Sequence, residues 1–318
     1  MTWLIWRQHR IEALIIGLFL LAFAILLLVT GINLATTVQQ TKTNTDILIY
    51  TSNVLQAPYF NAAGIILPIV LPVIAGIFIG APVMAREFEQ GTYRLIWTQG
   101  VSWRRWFFRK VGLLSCLILC SFGLLFVFFL WWSAPVNATL GRTFIDFSGQ
   151  FDGWGFVVVA YALFALLLGI FMGTVVRKSV PAMALTLLIF IGVRGSIEGL
   201  WRPHFLPPLI SSVPMDSPVN VPNGSLMVSM QTLDGQGHAL SEQEAQVCEA
   251  IVAENPTQES WNQYHQCVLK HGFQNVVLYQ PVDRFWLFQG IESAIYLLLS
   301  ALLALFTYWW IKFKVVGA

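Results

Sequence analysis

Charged side chains make up only 11% of this 318-residue chain, less than half of the roughly 25% usual in soluble domains. So few ions cannot keep a surface of ordinary size in water, which excludes a soluble globular fold. A hydrophobic content of 57% and a mean hydropathy of +0.69 point to a bilayer as the solvent. Catalytic signatures are missing as well. No Gly-Lys pair occurs, so no GxxxxGK[ST] loop can cradle ATP phosphates. The HExxH and GxSxG patterns are absent, and no group of His, Asp and Glu is clustered within an apolar run. Any chemistry therefore belongs to a partner. A cleavable signal peptide is not expected: Met1–Glu12 carries two Trp and two Arg, and the apolar run after it is too long for an h-region.

Long apolar runs are what the chain does have. A crossing of about 30 Å of hydrocarbon needs roughly 20 residues. Six segments qualify, near Ala13–Asn33, Ala62–Met84, Val111–Trp132, Trp154–Val176, Pro181–Leu200 and Phe285–Ile311. Trp131, Trp132, Trp154, Trp201, Trp286, Trp309 and Trp310 edge them, as interfacial belts favour. Ser179 and Pro181 suit the N-cap and first turn of the fifth. The expected fold is an all-α polytopic membrane protein.

Basic residues then set the orientation. With the N-terminus placed inside, the inner face holds Arg7, Arg10, Arg86, Arg94, Arg104, Arg105, Arg109, Lys110, Arg177, Lys178, Lys312 and Lys314. These are 12 of the 18 basic residues, against three acids, Glu12, Glu87 and Glu89. The other side has six basic and 13 acidic residues. The positive-inside rule puts both termini in the cytoplasm.

Four regions follow. Residues 1–12 read as an amphipathic interfacial helix with Arg7 and Arg10 toward lipid headgroups. Residues 13–200 hold spans one to five, with a cytoplasmic loop at 85–110. In that loop Thr92 suits the cap of a short helix, Tyr93–Gln99, which Gly100 can end. Ser102 suits the cap of the next helix. The first helix would lie on the membrane surface and expose Tyr93, Leu95, Ile96 and Trp97, a docking surface. Residues 285–318 are the sixth span and tail.

Residues 201–284 form an exterior insertion. Its first half is rich in Pro and Gly and reads as extended or looped. Its second half reads as a helical hairpin: Ser241–Glu244 fits a capping box, and Thr257 and Gly272 bound the second helix. Cys248 and Cys267 face each other across this hairpin, and an oxidising exterior favours a disulfide. A zinc site from His265, Cys267 and His271 lacks a supporting CxxC or HxxxH group, and no metal is expected. Cys116 and Cys120, one turn apart on span three, read as packing residues.

Pro68 and Pro72 interrupt the second span, and Gly76 and Gly80 follow four residues apart; Gly169 and Gly173 repeat this spacing in the fourth. Small residues at that spacing let helices approach closely, and the prolines suit either a kink or a pathway lining. Charges at membrane depth are sharper pointers. Arg194 and Glu198 are one turn apart and can pair, and Glu292 lies two turns into span six. These residues line a possible substrate path or tie helix ends.

The stretch AREFEQGTYRLIWTQGVSWRR, Ala85–Arg105, resembles the cytoplasmic loop of permease subunits of ABC-2 type transporters. The layout of spans is similar too. The closing stretch YQPVDRFWLFQGIE, Tyr279–Glu292, resembles a bacterial, largely Gram-positive branch of these permeases. The resemblance implies a half-transporter that pairs with a second permease subunit and with ATP-binding subunits carrying ATP and Mg, and binds no cofactor of its own. Residues 87–99 would be the coupling helix, with Glu87, Thr92, Tyr93 and Arg94, beside the exposed Leu95 and Trp97, contacting the ATPase. The chain would sit in the cell membrane and export a drug, peptide or lipid-like substrate.

Two other classes stay open to the sequence. A membrane-bound enzyme lacks a catalytic constellation. A sensor or immunity protein would bind an extracellular ligand through residues 201–284 without moving it across.

Overall fold

The computed structural model describes residues 17–18, 21–22, 24–33, 35–36, 70–93, 102–140, 147, 151–214, 217, 221–222, 224–238, 248, 250–251 and 257–315. Five helices among them are long and apolar enough to cross a membrane: α2 (Val70–Glu89), α3 (within Trp103–Leu140), α5 (Val157–Val176), α6 (Ser179–Ser196, running on to His204) and α8 (Phe285–Trp310, running on to Val315). A shorter apolar helix, α1 (Ala24–Asn33), lies where the first span was expected. The protein is thus a mostly helical, multi-pass membrane protein. The interfacial helix at 1–12, the Tyr93–Gln99 helix beyond Tyr93, and Pro68 lie outside the described residues.

The chain forms two compact units. One comprises 199–285 with 146–148; the other holds the remaining helices. In the helical unit α5 is the centre. Tyr161, Ala165, Leu166 and Ile170 are fully buried, whereas α3 presents Leu117, Leu124 and Val127 outward, as lipid allows. Hydroxyls at depth close onto their own helices: Thr174 donates to Ile170 O at 2.7 Å, Thr186 to Ala182 O at 2.7 Å and Thr307 to Leu303 O at 2.6 Å. This satisfies polar groups that hydrocarbon cannot.

The glycines spaced four apart bring α2 and α5 together backbone to backbone. A Cβ on Gly76 would stand 2.5 Å from Ala165 O, and one on Gly80 2.5 Å from Leu166 O. Between Pro72 and Pro82, α2 winds as a π-helix over Ala75–Gly80. At its other end α5 stops on Arg177, which takes φ +57°, the one non-glycine with positive φ among the described residues. Lys178, in extended conformation, is the N-cap of α6 and Ser179 its first residue, so the helix starts one position earlier than the sequence suggested. Ser179 is instead held from outside: its N–H and hydroxyl donate to Glu89 Oε2 at 3.3 and 2.9 Å. Trp132, expected at the interface, is buried and donates through Nε1 to Thr30 at 3.0 Å, docking α1 on α3.

In the second unit the reading of the insertion as loop followed by a helical hairpin is corrected by a sheet. Strands β1 (Leu209–Pro214), β2 (Leu226–Leu233) and β3 (Gln274–Gln280) form an antiparallel sheet in the order β1-β3-β2, with a bulge between Met227 and Ser229. The prolines that suggested loop end the strands instead of filling them. Helix α7 (Gln258–His271) starts on a capping box between Thr257 and Ser260 and ends on Gly272 at φ +64°. The Ser241–Glu244 box lies outside the described residues. Backbone N–H groups of His238 and Gln236 hold the Asp234 carboxyl below the ordinary carboxylate range.

Cys248 and Cys267 are joined by a disulfide, Cα atoms 5.7 Å apart, within a core of Tyr264, Val268 and Phe273. Closing a loop with sequence separation 19 stabilises by about 3 kcal/mol. Cys248→Ser with Cys267→Ser is therefore expected to raise amide exchange in α7 about 100-fold and leave α5 unchanged. Equal exchange in α7 of the two forms would count against this.

Candidate functional site

Two polar clusters stand out in the helical unit. The first lies where the 85–110 loop leaves the helices. Glu87 is on the last turn of α2 and Lys110 is two turns into α3; both were drawn inward, 7% and 1% exposed. Lys110 Nζ donates to Glu87 Oε1 at 2.5 Å and to Val83 O at 2.7 Å, and lies 5.4 Å from the Trp106 ring centre. Among the described residues Glu87 Oε2 has no hydrogen-bond partner. Around this pair, Thr92 donates to Glu87 O at 3.5 Å, and Tyr93 packs on Phe88 with ring centres 5.1 Å apart. Arg177 sits over Phe88 and donates to Lys314 O at 3.3 Å.

The loop base is thus a fixed platform joined to α2, α3, the α5–α6 turn and the tail of α8. Of the residues expected to dock a partner, Thr92 is exposed and Tyr93 half-buried. Glu87 turns its carboxylate into the protein. Arg94, Leu95 and Trp97 lie outside the described residues. Lys110 was missed as a site residue because it reads as one more basic flank.

The second cluster is at membrane depth. Arg194, 5% exposed on α6, lies 3.2 Å from Asp152 Oδ1 on the short helix α4 (Phe151–Trp154). Its guanidinium stacks over Tyr161 of α5, 4.1 Å from the ring centre. The Tyr161 hydroxyl donates to Glu292 Oε1 of α8 at 2.5 Å and also lies 3.1 Å from Asp152 Oδ1. Tyr296 meets Tyr161 edge-on at 4.7 Å. Arg194 and Glu292, named separately from sequence, are therefore brought together through Tyr161. Arg194 thereby bridges α6 to α4. Pro72 lies on α2, buried, three residues before the π-helical stretch.

Gln289, one turn before Glu292, closes the break between α4 and α5. Its Oε1 accepts from Val157 N–H at 3.0 Å and its Nε2 donates to Phe151 O at 2.6 Å. Gly155 leaves room for this amide, since a Cβ there would push the end of the Gln289 side chain out of place. In the other unit Gln280 donates to Pro203 O at 3.1 Å and Leu206 O at 2.6 Å, and accepts from Arg284 Nη1 at 2.6 Å. The closing stretch Tyr279–Glu292 thus carries polar ties at Gln280, Arg284, Gln289 and Glu292. Among the described residues, no three His, Cys, Asp or Glu are grouped to hold a metal.

The profile of the family described as "ABC-2 membrane transporter related" matches residues 17–202, more than half of the chain. The match takes in Glu87, Lys110, Asp152, Tyr161 and Arg194. No curated protein and no solved structure matches the chain.

Proposed function

The chain belongs to the ABC-2 membrane transporter related family, and on that footing we propose that it is the membrane-spanning permease subunit of an ATP-driven exporter. The family match across α1–α6 carries this reading. ATP and Mg belong to a separate ATP-binding subunit, and this chain hydrolyses nothing. A second permease subunit, identical or related, completes the membrane part. Both termini and the 85–110 loop face the cytoplasm of a cell whose plasma membrane holds the protein, and residues 201–284 lie outside. The cargo is a drug, peptide or lipid-like molecule.

Residues 87–99 form the coupling segment. Thr92, Tyr93, Arg94, Leu95 and Trp97 contact the ATPase. Glu87 acts as a positioning residue through its ion pair with Lys110. Closure of the ATPase pair then moves a loop whose base is tied to α2 and α3. Because α2 crosses α5 at backbone contact, that displacement passes to the central helix instead of being absorbed by side chains.

Purification of a tagged chain from its native operon tests the assignment. Tyr93→Ala combined with Trp97→Ala is expected to reduce the co-purifying ATPase at least about 10-fold, by removing two aromatic anchors, while the amount of chain in the membrane stays level. Recovery of no ATP-binding subunit with the unaltered chain would overturn the reading.

A further inference from the structure

We propose that the exposed face of α3 over its first turns, flanked by Lys312 of α8, binds an anionic phospholipid. Arg105 and Arg109 take the phosphate, and the row of small residues beyond them takes an acyl chain. The leaflet is the cytoplasmic one in the orientation proposed above. The inference goes beyond the transport reading and does not rest on it.

Charge complementarity selects the occupant. Arg104, Arg105 and Arg109 are exposed, as are Lys312 and Lys314 at the end of α8. Among the described residues none of these five meets a carboxylate. The described acids of this end are engaged elsewhere: Glu87 holds Lys110, and Glu89 accepts from Ser179. Arginine is always charged in proteins, so the positive surplus needs no assumption about pH. Basic pockets between spans hold the headgroups of anionic lipids. Arg104 is preset for a phosphate, its guanidinium 5.7 Å from the Trp103 ring centre. Stacked by its face, a guanidinium keeps its in-plane N–H donors for an oxyanion. Lys312 lies likewise 4.8 Å from the Phe313 ring centre.

Spacing and packing give the lipid its place. Steps of four, three and four residues put Arg105, Arg109, Gly112 and Cys116 on one face of α3. All four are exposed, and a Cβ on Gly112 would meet nothing within 4 Å. The row is a shallow track that leads from the arginines into the apolar part of the helix. Phe108, 62% exposed, borders it. With Trp103 and Phe107, Phe108 packs around Tyr308 of α8, ring centres 5.1 to 6.1 Å apart. Aromatic rings of this kind sit at headgroup level. A free phosphate would use the cations alone, whereas a lipid uses both cations and track. Lys110, next after Arg109, turns the other way into the Glu87 pair. An occupied site therefore braces the turn of α3 that carries the loop base.

Titration of the full chain in detergent with dioleoylphosphatidylglycerol, read by native mass spectrometry, tests the site without any ATPase. This lipid is expected to bind at least about 10-fold tighter than dioleoylphosphatidylcholine, which has the same chains and no net charge. Arg105→Gln should lose about 5-fold, and Arg105→Gln with Arg109→Gln at least about 10-fold. Lys178→Gln, which removes an exposed base from the α5–α6 turn, should stay within about 2-fold. Glycerol phosphate, the headgroup chemistry without chains, should not displace the lipid. Equal affinity for the two lipids, an unchanged double variant, an equal loss in Lys178→Gln, or displacement by glycerol phosphate overturns the proposal. If the double variant does not fold, maleimide labelling of Cys116 in the unaltered chain decides. Saturating phosphatidylglycerol should protect this thiol, and undiminished labelling overturns the site.

Discussion

Replacing Lys110 with methionine is expected to lower the stability of the folded chain by about 3–5 kcal/mol, the usual result of stranding one member of a buried ion pair. The geometry leaves Glu87 little recourse. Its carboxylate is buried, Oε1 is held by Lys110 at 2.5 Å, and Oε2 already has no hydrogen-bond partner among the described residues. Without the ammonium, a charge would remain in a buried site where no other donor among the described residues holds it. Glu87→Gln should be the milder change, because the amide oxygen still accepts from Lys110. The double variant Lys110→Met with Glu87→Leu should return to within about 1 kcal/mol of the starting stability, since removing both charges also removes their desolvation. Thermal unfolding of the purified chain in lipid nanodiscs reads all three. Strictly additive losses in the double variant would show that the two residues do not act as a pair.

A loss near the upper end of about 1–3 kcal/mol is expected from Gly169→Leu. A Cβ at that position would press on Gly76 O and come within 2.7 Å of Ala81 N, both backbone atoms of α2. Backbone cannot swing aside as a side chain can, so the helices must separate. That forfeits the contacts of Gly80 and Gly173 along the same seam. Overpacking of a tight core typically costs about 1–3 kcal/mol, and here even alanine should register. Gly112→Ala and Gly192→Ala serve as controls, for a Cβ at either meets nothing within 4 Å; each should stabilise its helix by up to about 1 kcal/mol. The monodisperse fraction after purification and the unfolding temperature measure both. Similar tolerance at Gly169 and Gly112 would contradict backbone contact between α2 and α5.

Features written into local sequence were the legible ones. Apolar length announced the spans, and Thr257 and Gly272 announced the bounds of α7, because caps act within one turn. The glycine spacing pointed to close packing, though not to which helices meet. Strands β1 and β2 were hidden by the prolines around them, which read as loop over a whole window although each strand is short. The membrane-depth cluster was only half visible. Arg194 and Glu292 stood out as ions in apolar runs, but Asp152 precedes its span and Tyr161 is one uncharged aromatic within an apolar run. Nearness in sequence pointed Arg194 to Glu198, but nothing local pointed it to Asp152, on another element. Likewise nothing local links Glu87 to Lys110, 23 residues apart.

The splint that Gln289 places across the α4–α5 break has a bearing on biosynthesis. The amide it caps, Val157 N–H, is made 132 residues earlier. At about 5–20 residues per second, the ribosome needs roughly 7 to 26 seconds to supply the missing acceptor. During that interval the top of the central helix has an unmet donor. It must be shielded by lipid headgroups, water or an insertion chaperone, so final assembly of this helix waits for the last span to emerge.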